Sequence, residues 1–264
     1  MLARLIGCAV LAGGCGFHPT ETAGDGPAPT GDAHLDAPGV DAAMAGGDAS
    51  VGDCLLTGDP TLRLCLDFEG ALPSDGSPSP NTVNSTGVAS ATRTTPGGGS
   101  ERAARVNTGS QIQVPETANL DITPQITLAA WINPDRLPTA GESRFGILDN
   151  DGQYSMFLHA DGTVTCNVVA GAVTQPISPN VWTHVGCVAD GSKLYIYRDG
   201  SEDQHVTNTA AIETTPTSGT RIGQDDLGGG AGQQNFIGQL DDVRIWARAL
   251  PKDELCQSGG FSSC

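Results

Sequence analysis

Tyr195 and Tyr197 alternate with Leu194 and Ile196 in the run Lys193 to Arg198, a spacing that could do chemistry. On a strand such neighbours project to opposite faces, so aliphatic side chains turned inward leave two phenol rings outside. A pyranose has an apolar face that stacks on such a ring while polar groups take its hydroxyls. Tyr195 and Tyr197, with the adjacent Arg198 and Asp199, are therefore the candidate ligand-binding residues. Asp67 and Glu69 stand two apart, which on a strand places both carboxylates on one face. His184 lies inside a β-rich run and His159 beside the Asp161-Gly162 turn, positions that suit structural histidines. No GxSxG elbow surrounds a serine, and no CxxC pair offers zinc a thiolate set.

The elements that must position these residues are strands. Val181 to Gly200 reads VWTHVGCVADGSKLYIYRDG, two β-rich runs each closed by Asp-Gly, a pair that tolerates the positive φ of tight hairpin turns. The same punctuation recurs at Asp151-Gly152 and Asp161-Gly162. Strands are expected at Thr61 to Phe68, weakly up to Ala91, and at Ala103 to Thr108, Gln111 to Val114, Ile122 to Asn133 and Phe145 to Leu148. Further strands are expected at Gln153 to His159, Thr163 to Val169, Val181 to Ala189, Lys193 to Arg198, Thr220 to Gly223, Phe236 to Ile237 and Leu240 to Trp246. One short helical turn fits Pro251 to Gln257, with proline at its start and Glu254 near the positive end of the dipole. Many short strands without alternating helices predict an all-β, two-sheet antiparallel sandwich.

Composition divides the chain. All three Trp and all three Tyr lie from Trp131 onward, so one domain over residues 54–264 is expected, long enough to bury roughly 70% of its unfolded surface. Before it, Leu11-Ala12-Gly13-Gly14-Cys15 resembles the end of a bacterial lipoprotein signal, making residues 1–15 the leader and Cys15 the lipidated residue. Cys8, after Leu5-Ile6-Gly7, is the alternative by letters but leaves almost no hydrophobic run before it. Residues 16–53 are rich in Gly, Ala, Pro, Thr and Asp and carry seven acids with no Lys or Arg, the composition of an extended, disordered linker. The net charge is −17, and 23 acidic against 12 basic residues remain beyond Asp53. That sign disfavours nucleic acid and anionic lipid and suits a cation, a neutral sugar or plain solubility. The membrane would be met only through the lipid anchor.

Setting aside Cys8 and Cys15, six cysteines remain, an even number that implies disulfides in an exported chain. The pairing favoured is Cys54 with Cys65, Cys166 with Cys187 across neighbouring strands, and Cys256 with Cys264. Its rival staples the domain's ends by joining Cys54 and Cys65 to Cys256 and Cys264.

Four segments in order carry a family resemblance: LCLDFEG (Leu64 to Gly70), ITLAAWINPDRLP (Ile126 to Pro138), the run Val181 to Gly200, and GQLDDVRIWARALPKDEL (Gly238 to Leu255). Together they resemble the laminin-G-like, concanavalin A-like lectin/glucanase domains of bacterial surface proteins. The resemblance implies a jelly-roll sandwich in which the first and last strands are neighbours. Cys187 departs from it, since a small apolar residue is usual there, and that supports the bond to Cys166. The resemblance also implies calcium as a possible cofactor, for which Asp67, Glu69, Asp121, Asp241 and Asp242 are the candidate ligands, and Asp149, Asn150 and Asp151 form a loop cluster that also suits a hairpin turn. Glycosidases of this architecture place paired carboxylates in an E-x-D-x-x-E strand, and no such run occurs. The expectation is a monomeric, non-catalytic module of the bacterial cell envelope that binds a glycan or a cell-surface protein. A purely structural surface module and, behind it, a glycoside hydrolase are the alternatives.

Overall fold

The computed structural model describes residue 54 and residues 58–70, 73–150, 152–212, 219–225 and 234–264. The leader ending at Cys15, the linker of residues 16–53 and Asp151 lie outside the described residues. In chain order the strands are β1 (Leu62–Leu66), β2 (Asn84–Thr86), β3 (Ala89–Thr94), β4 (Ser100–Val106), β5 (Gln111–Val114), β6 (Ile126–Pro134), β7 (Arg144–Asn150) and β8 (Tyr154–His159). They continue as β9 (Val164–Val168), β10 (Ala170–Val173), β11 (Thr183–Ala189), β12 (Lys193–Arg198), β13 (Ser201–Thr207), β14 (Thr220–Ile222) and β15 (Gly238–Trp246), before the helix α1 (Lys252–Ser258).

Every strand pairing is antiparallel, and the strands form two sheets. The eight-stranded sheet runs β13-β12-β11-β6-β15-β4-β3, with β1 also pairing to β15. The seven-stranded sheet runs β10-β9-β8-β7-β14-β5-β2. The expected adjacency of first and last strands is present: Leu64 to Leu66 align with Ile245 to Val243. β4 takes the Gly238 to Leu240 part of β15 and β1 takes Val243 to Trp246.

Alternation explains the core. Leu64, Leu66, Leu128, Leu194, Ile196 and Ile245 of one sheet meet Ile112, Phe145, Met156 and Val164 of the other in one buried cluster, the arrangement that a sandwich with two apolar inner faces produces. A second apolar cluster lies apart from that core, where Leu250 and Leu255, from the chain around α1, bury Leu62, Ala129, Val188, Tyr197 and Trp246. Gly186 is required beneath this cover, because a Cβ there would stand 2.6 Å from Leu255 Cδ2.

The three disulfides join Cys54 to Cys65, Cys166 to Cys187 and Cys256 to Cys264. One detail of the expectation is corrected. Cys166 is on β9 and Cys187 on β11, strands of different sheets, so this bond crosses the core instead of linking neighbours within a sheet. Both residues are fully buried, since each sits on the inner face of its strand.

The sequence reading left out β10 and β13. β13 is mostly exposed and polar, so it lacks the apolar alternation that marks a half-buried strand. It nonetheless closes an edge of the sandwich. Gln204 Oε1 accepts from Val173 N at 2.7 Å, Asp203 Oδ2 from Gln175 N at 2.9 Å, and Asn208 Oδ1 from Ala170 N at 3.1 Å. Side-chain acceptors thereby cap amides of the edge strand β10 and of Gln175 just beyond it that could otherwise pair with another chain.

Candidate functional site

Tyr195 and Tyr197 both leave the core side of β12, but they meet different surroundings. Tyr197 is only 7% exposed and belongs to the apolar cluster around Leu250, Leu255 and Trp246. Burial first, then Glu202, Tyr195 and Asp190, raise its phenol to about 12, so it stays protonated. Tyr195 is half-buried, and its ring lies 6.3 Å from that of Tyr197 at 23°, a stacked pair. In register across β12 and β13, His205 faces Tyr195, with ring centroids 5.4 Å apart. Lys193 Nζ lies 5.8 Å from the Tyr195 centroid, and His205 Nδ1 is 2.6 Å from Glu202 Oε1. The result is an aromatic step with a cation, an imidazole and a carboxylate around it.

Arg198 and Asp199 do not join this surface. Arg198 reaches Asp203 Oδ2 at 2.8 Å, the same oxygen that caps Gln175 N, so its guanidinium turns toward the β10 edge. Asp199 occupies the β12–β13 turn at φ +48° and accepts from His184 N at 2.9 Å. Both build the hairpin that holds the tyrosines. His205 and Glu202 were not anticipated because recognising them requires β13 to be a strand.

A denser constellation lies around Asp241 and Asp242. Strict alternation would send two consecutive aspartates to opposite faces, but the register of β15 against β6 shifts between Asp241 and Arg244, and Asp242 adopts φ +48°. The irregularity re-aims the chain so that both carboxylates reach one cation. Arg93, 2% exposed, donates to Asp241 Oδ2 and Asp242 Oδ2 at 2.6 Å each and to Glu101 Oε2 at 2.5 Å. Arg244 donates to Asp242 Oδ1 at 2.7 Å and to the Ser258 carbonyl at 2.7 Å. Trp131 lies 4.8 Å from the Arg93 guanidinium carbon, and Phe261 stacks obliquely on Trp131 at 5.5 Å. His184, fully buried beside them, is lowered to about 3 by burial and then by Arg244 and Arg93, so it remains neutral.

Oxygens of Glu101, Asp241 and Asp242 lie within 4.8 Å of one another, a spacing a metal could bridge. The set does not fit calcium, because the Arg93 guanidinium already bonds to all three carboxylates and Arg244 adds a second cation. Asp67 and Glu69 stand at the margin. The expectation that they share a strand face is corrected: β1 ends at Leu66, and Phe68 between them has φ +56° and turns into the core. Asp67 accepts from Glu69 N at 3.2 Å, and Glu69 accepts from Arg102 N at 2.8 Å. Burial first, with Glu101 and Asp67 adding negative charge, raises the Glu69 carboxyl. Asp121 lies elsewhere, beside Glu116 and Tyr154. Asn150 ends β7, where its amide donates to Thr220 Oγ1 at 2.8 Å, while Asp149 precedes it in the same strand opposite Arg221 of β14.

Residues 106–256 match the family model for the concanavalin A-like lectin/glucanases superfamily. The chain belongs to that superfamily. No curated protein matches it by sequence. Among solved structures, the binding domain of Paraclostridial Mosquitocidal Protein 1 is 18% identical with a TM-score of 0.61, over 75% of this chain and 52% of that one. Domain 4 of AbnA, a GH43 extracellular arabinanase from Geobacillus stearothermophilus solved with arabinotriose, is 21% identical with a TM-score of 0.54, over 75% of this chain and 98% of that one. The receptor binding domain of botulinum neurotoxin C/D mosaic serotype is 13% identical with a TM-score of 0.59, over 76% of this chain and 51% of that one. The chain thus spans about half the length of the two toxin domains and nearly all of the arabinanase domain. At these identities the likeness is one of fold.

Within this lectin/glucanase sandwich, three disulfides place the domain in an oxidising, extracellular-type compartment. The superfamily fold explains the neighbouring first and last strands. The Arg93 cluster joins residues of β3, β4 and β15. Glu101 was missed because the Arg93–Glu101 cross-strand pair depends on a β3–β4 hairpin that weak apolar patterning had hidden.

Proposed function

We propose that the domain is a non-catalytic binding module that takes a neutral carbohydrate on the Tyr195 step of β12 and β13. The observation that carries this reading is the half-buried Tyr195 ring, stacked on a fixed Tyr197 and flanked by Lys193, His205 and Glu202. A ring held by a buried neighbour loses little freedom when a sugar stacks on it, and the polar groups around it suit hydroxyls. The acidic chain disfavours anionic ligands. The arabinanase domain of the same fold, solved with arabinotriose, supports the ligand class. A lipid on Cys15, or on Cys8, with residues 16–53 as tether would hold the monomeric module on the cell envelope. A diacylglyceryl mass increment on the detergent-extracted chain is the check, and its absence would leave a secreted protein.

The binding test is an oligosaccharide panel read by calorimetry. Tyr195→Ala should weaken the responding sugar about tenfold, the scale of one aromatic contact of about 1.4 kcal/mol. Tyr197→Phe, which keeps the buried ring, should leave affinity close to the parent's. Silence on every glycan would transfer the role to protein adhesion. Polysaccharide hydrolysis abolished by Glu69→Gln would make the protein an enzyme.

A further inference from the structure

The three disulfides differ in how far solvent reaches them. Cys54, Cys65, Cys166 and Cys187 are at most 2% exposed, so a reductant meets their sulfurs only when the fold opens. Cys264 is exposed, and its bond to the buried Cys256 spans a separation of only 8 residues at the end of the chain. Thiol–disulfide exchange needs access to one sulfur, and exposed bonds are the labile ones. The third bond is therefore open to reduction while the other two stay shut.

That bond holds an aromatic side chain in place. After α1 the chain turns back through Gly259 and Gly260, and Phe261 N donates to the Cys256 carbonyl at 3.3 Å. The Phe261 ring then lies 5.5 Å from Trp131 at 33° and 5.8 Å from His184 at 69°, while Trp131 and His184 are 5.3 Å apart. A Cβ at Gly259 would stand 2.8 Å from the Phe261 ring and 3.0 Å from His184 Nδ1, so glycine is what lets the chain pass this close. Trp131 and His184 are buried, Phe261 is half-buried, and Ser262 to Cys264 are exposed, which makes Phe261 the outermost of the three rings. The closed arrangement is not fully satisfied, because Trp131 Nε1 is buried without an acceptor.

We propose that the Cys256–Cys264 bond is a redox latch: oxidised, it keeps Phe261 over Trp131 and His184, and reduced, it frees residues 259–264 and exposes the two rings as a stacking face. A dithiol reductant supplies the electrons. One of its thiolates attacks the exposed Cys264 sulfur, and Cys256 leaves as a thiolate and takes a proton from water. The second thiol of the reductant then displaces Cys264, so two protein thiols form as the dithiol becomes a disulfide. Without the bond the strap regains the conformations that loop closure had removed, and Gly259 and Gly260 enlarge that gain. The domain itself stays folded, since Leu255 remains in its apolar cluster and Arg244 still holds the Ser258 carbonyl at 2.7 Å. Trp131, His184 and Phe261 lie outside β12 and β13, so the latch does not depend on the sugar reading.

The test incubates the full chain with dithiothreitol under native conditions, traps free thiols with excess N-ethylmaleimide in guanidinium and maps the labels by peptide mass. Of the six bonded cysteines, only Cys256 and Cys264 should carry label. Acrylamide quenching of tryptophan fluorescence should rise on reduction, with emission shifting to longer wavelength, and Phe261→Ala should give the same rise with the bond intact. Both rises should vanish in Trp131→Phe, while the far-ultraviolet circular dichroism of the reduced chain stays that of the oxidised one. Labelling of all six cysteines together would show that reduction follows global unfolding and would overturn the latch. Reduction confined to Cys256 and Cys264 that leaves quenching unchanged would overturn it as well, because Phe261 would then stay on Trp131 without the bond. Unchanged quenching in Phe261→Ala would do the same, by assigning the cover of Trp131 to another group.

Discussion

Arg93→Met should lower the unfolding free energy by about 3–5 kcal/mol, the scale expected when one partner of a buried ion pair is removed. The change leaves Glu101, Asp241 and Asp242 with Arg244 as their remaining cation, at a site where Asp241 and Asp242 are almost wholly buried. Urea unfolding followed by tryptophan fluorescence is the measurement, and Trp131 beside Arg93 makes the signal local. Adding Asp241→Asn to Arg93→Met should recover part of the loss, because the new amide no longer needs a counter-charge. A loss below about 1 kcal/mol would mean that water reaches the cluster and screens it.

The pH dependence has a definite sign. Burial raises both Asp241 and Asp242, opposed by Arg93 for the first and by Arg244 and Arg93 for the second. A carboxyl raised in the folded state binds its proton more tightly than in the unfolded chain. Its contribution to stability is therefore present at acid pH and is lost as pH climbs through the raised value. Arg93→Met removes the opposing charge, so its deficit should shrink toward acid pH and deepen toward neutral. A deficit independent of pH would assign the effect to packing alone.

Replacing both Cys166 and Cys187 with alanine should cost about 2–5 kcal/mol, or a fall in Tm of roughly 5–15 °C for a domain of this size. The bond spans 21 residues and joins the two sheets through the core, so its loss frees the unfolded chain and leaves a void where both residues were fully buried. The Cys256–Cys264 bond spans 8 residues and ends at an exposed cysteine, so its removal should cost less. Calorimetry of the two variants under matched conditions gives the comparison. Equal losses would show that the cross-sheet position of the first bond carries no special weight.

Much of the architecture was legible before any coordinates. The Asp-Gly pairs at 161 and 199 do close hairpins, and the glycines take the positive φ such turns need. β5 occupies the expected residues 111–114, and α1 follows Pro251 as anticipated. Period-two alternation supplied the inner face of β12 and, in β1, Leu64 and Leu66, whereas Leu62, beyond a register shift, joins the second cluster; the cysteine pairing follows the favoured scheme. These are local properties: turn chemistry, strand period and short separations along the chain are written in consecutive residues.

Long-range placement was not legible. Alternation placed Tyr195 and Tyr197 on one outer face, yet it says nothing about what arrives on that face from elsewhere. Leu250 and Leu255, more than fifty residues further on, cover Tyr197 and leave Tyr195 as the accessible ring. Asp241 and Asp242 were visible as carboxylates, but the irregularity in β15 that aims both at Arg93, 148 residues away from Asp241, arises from pairing with β6. Residue type and period follow from short-range sterics, which a sequence states directly. Whether a carboxylate meets arginine or another carboxylate depends on which distant strand the sheet places beside it, and only the folded chain decides that.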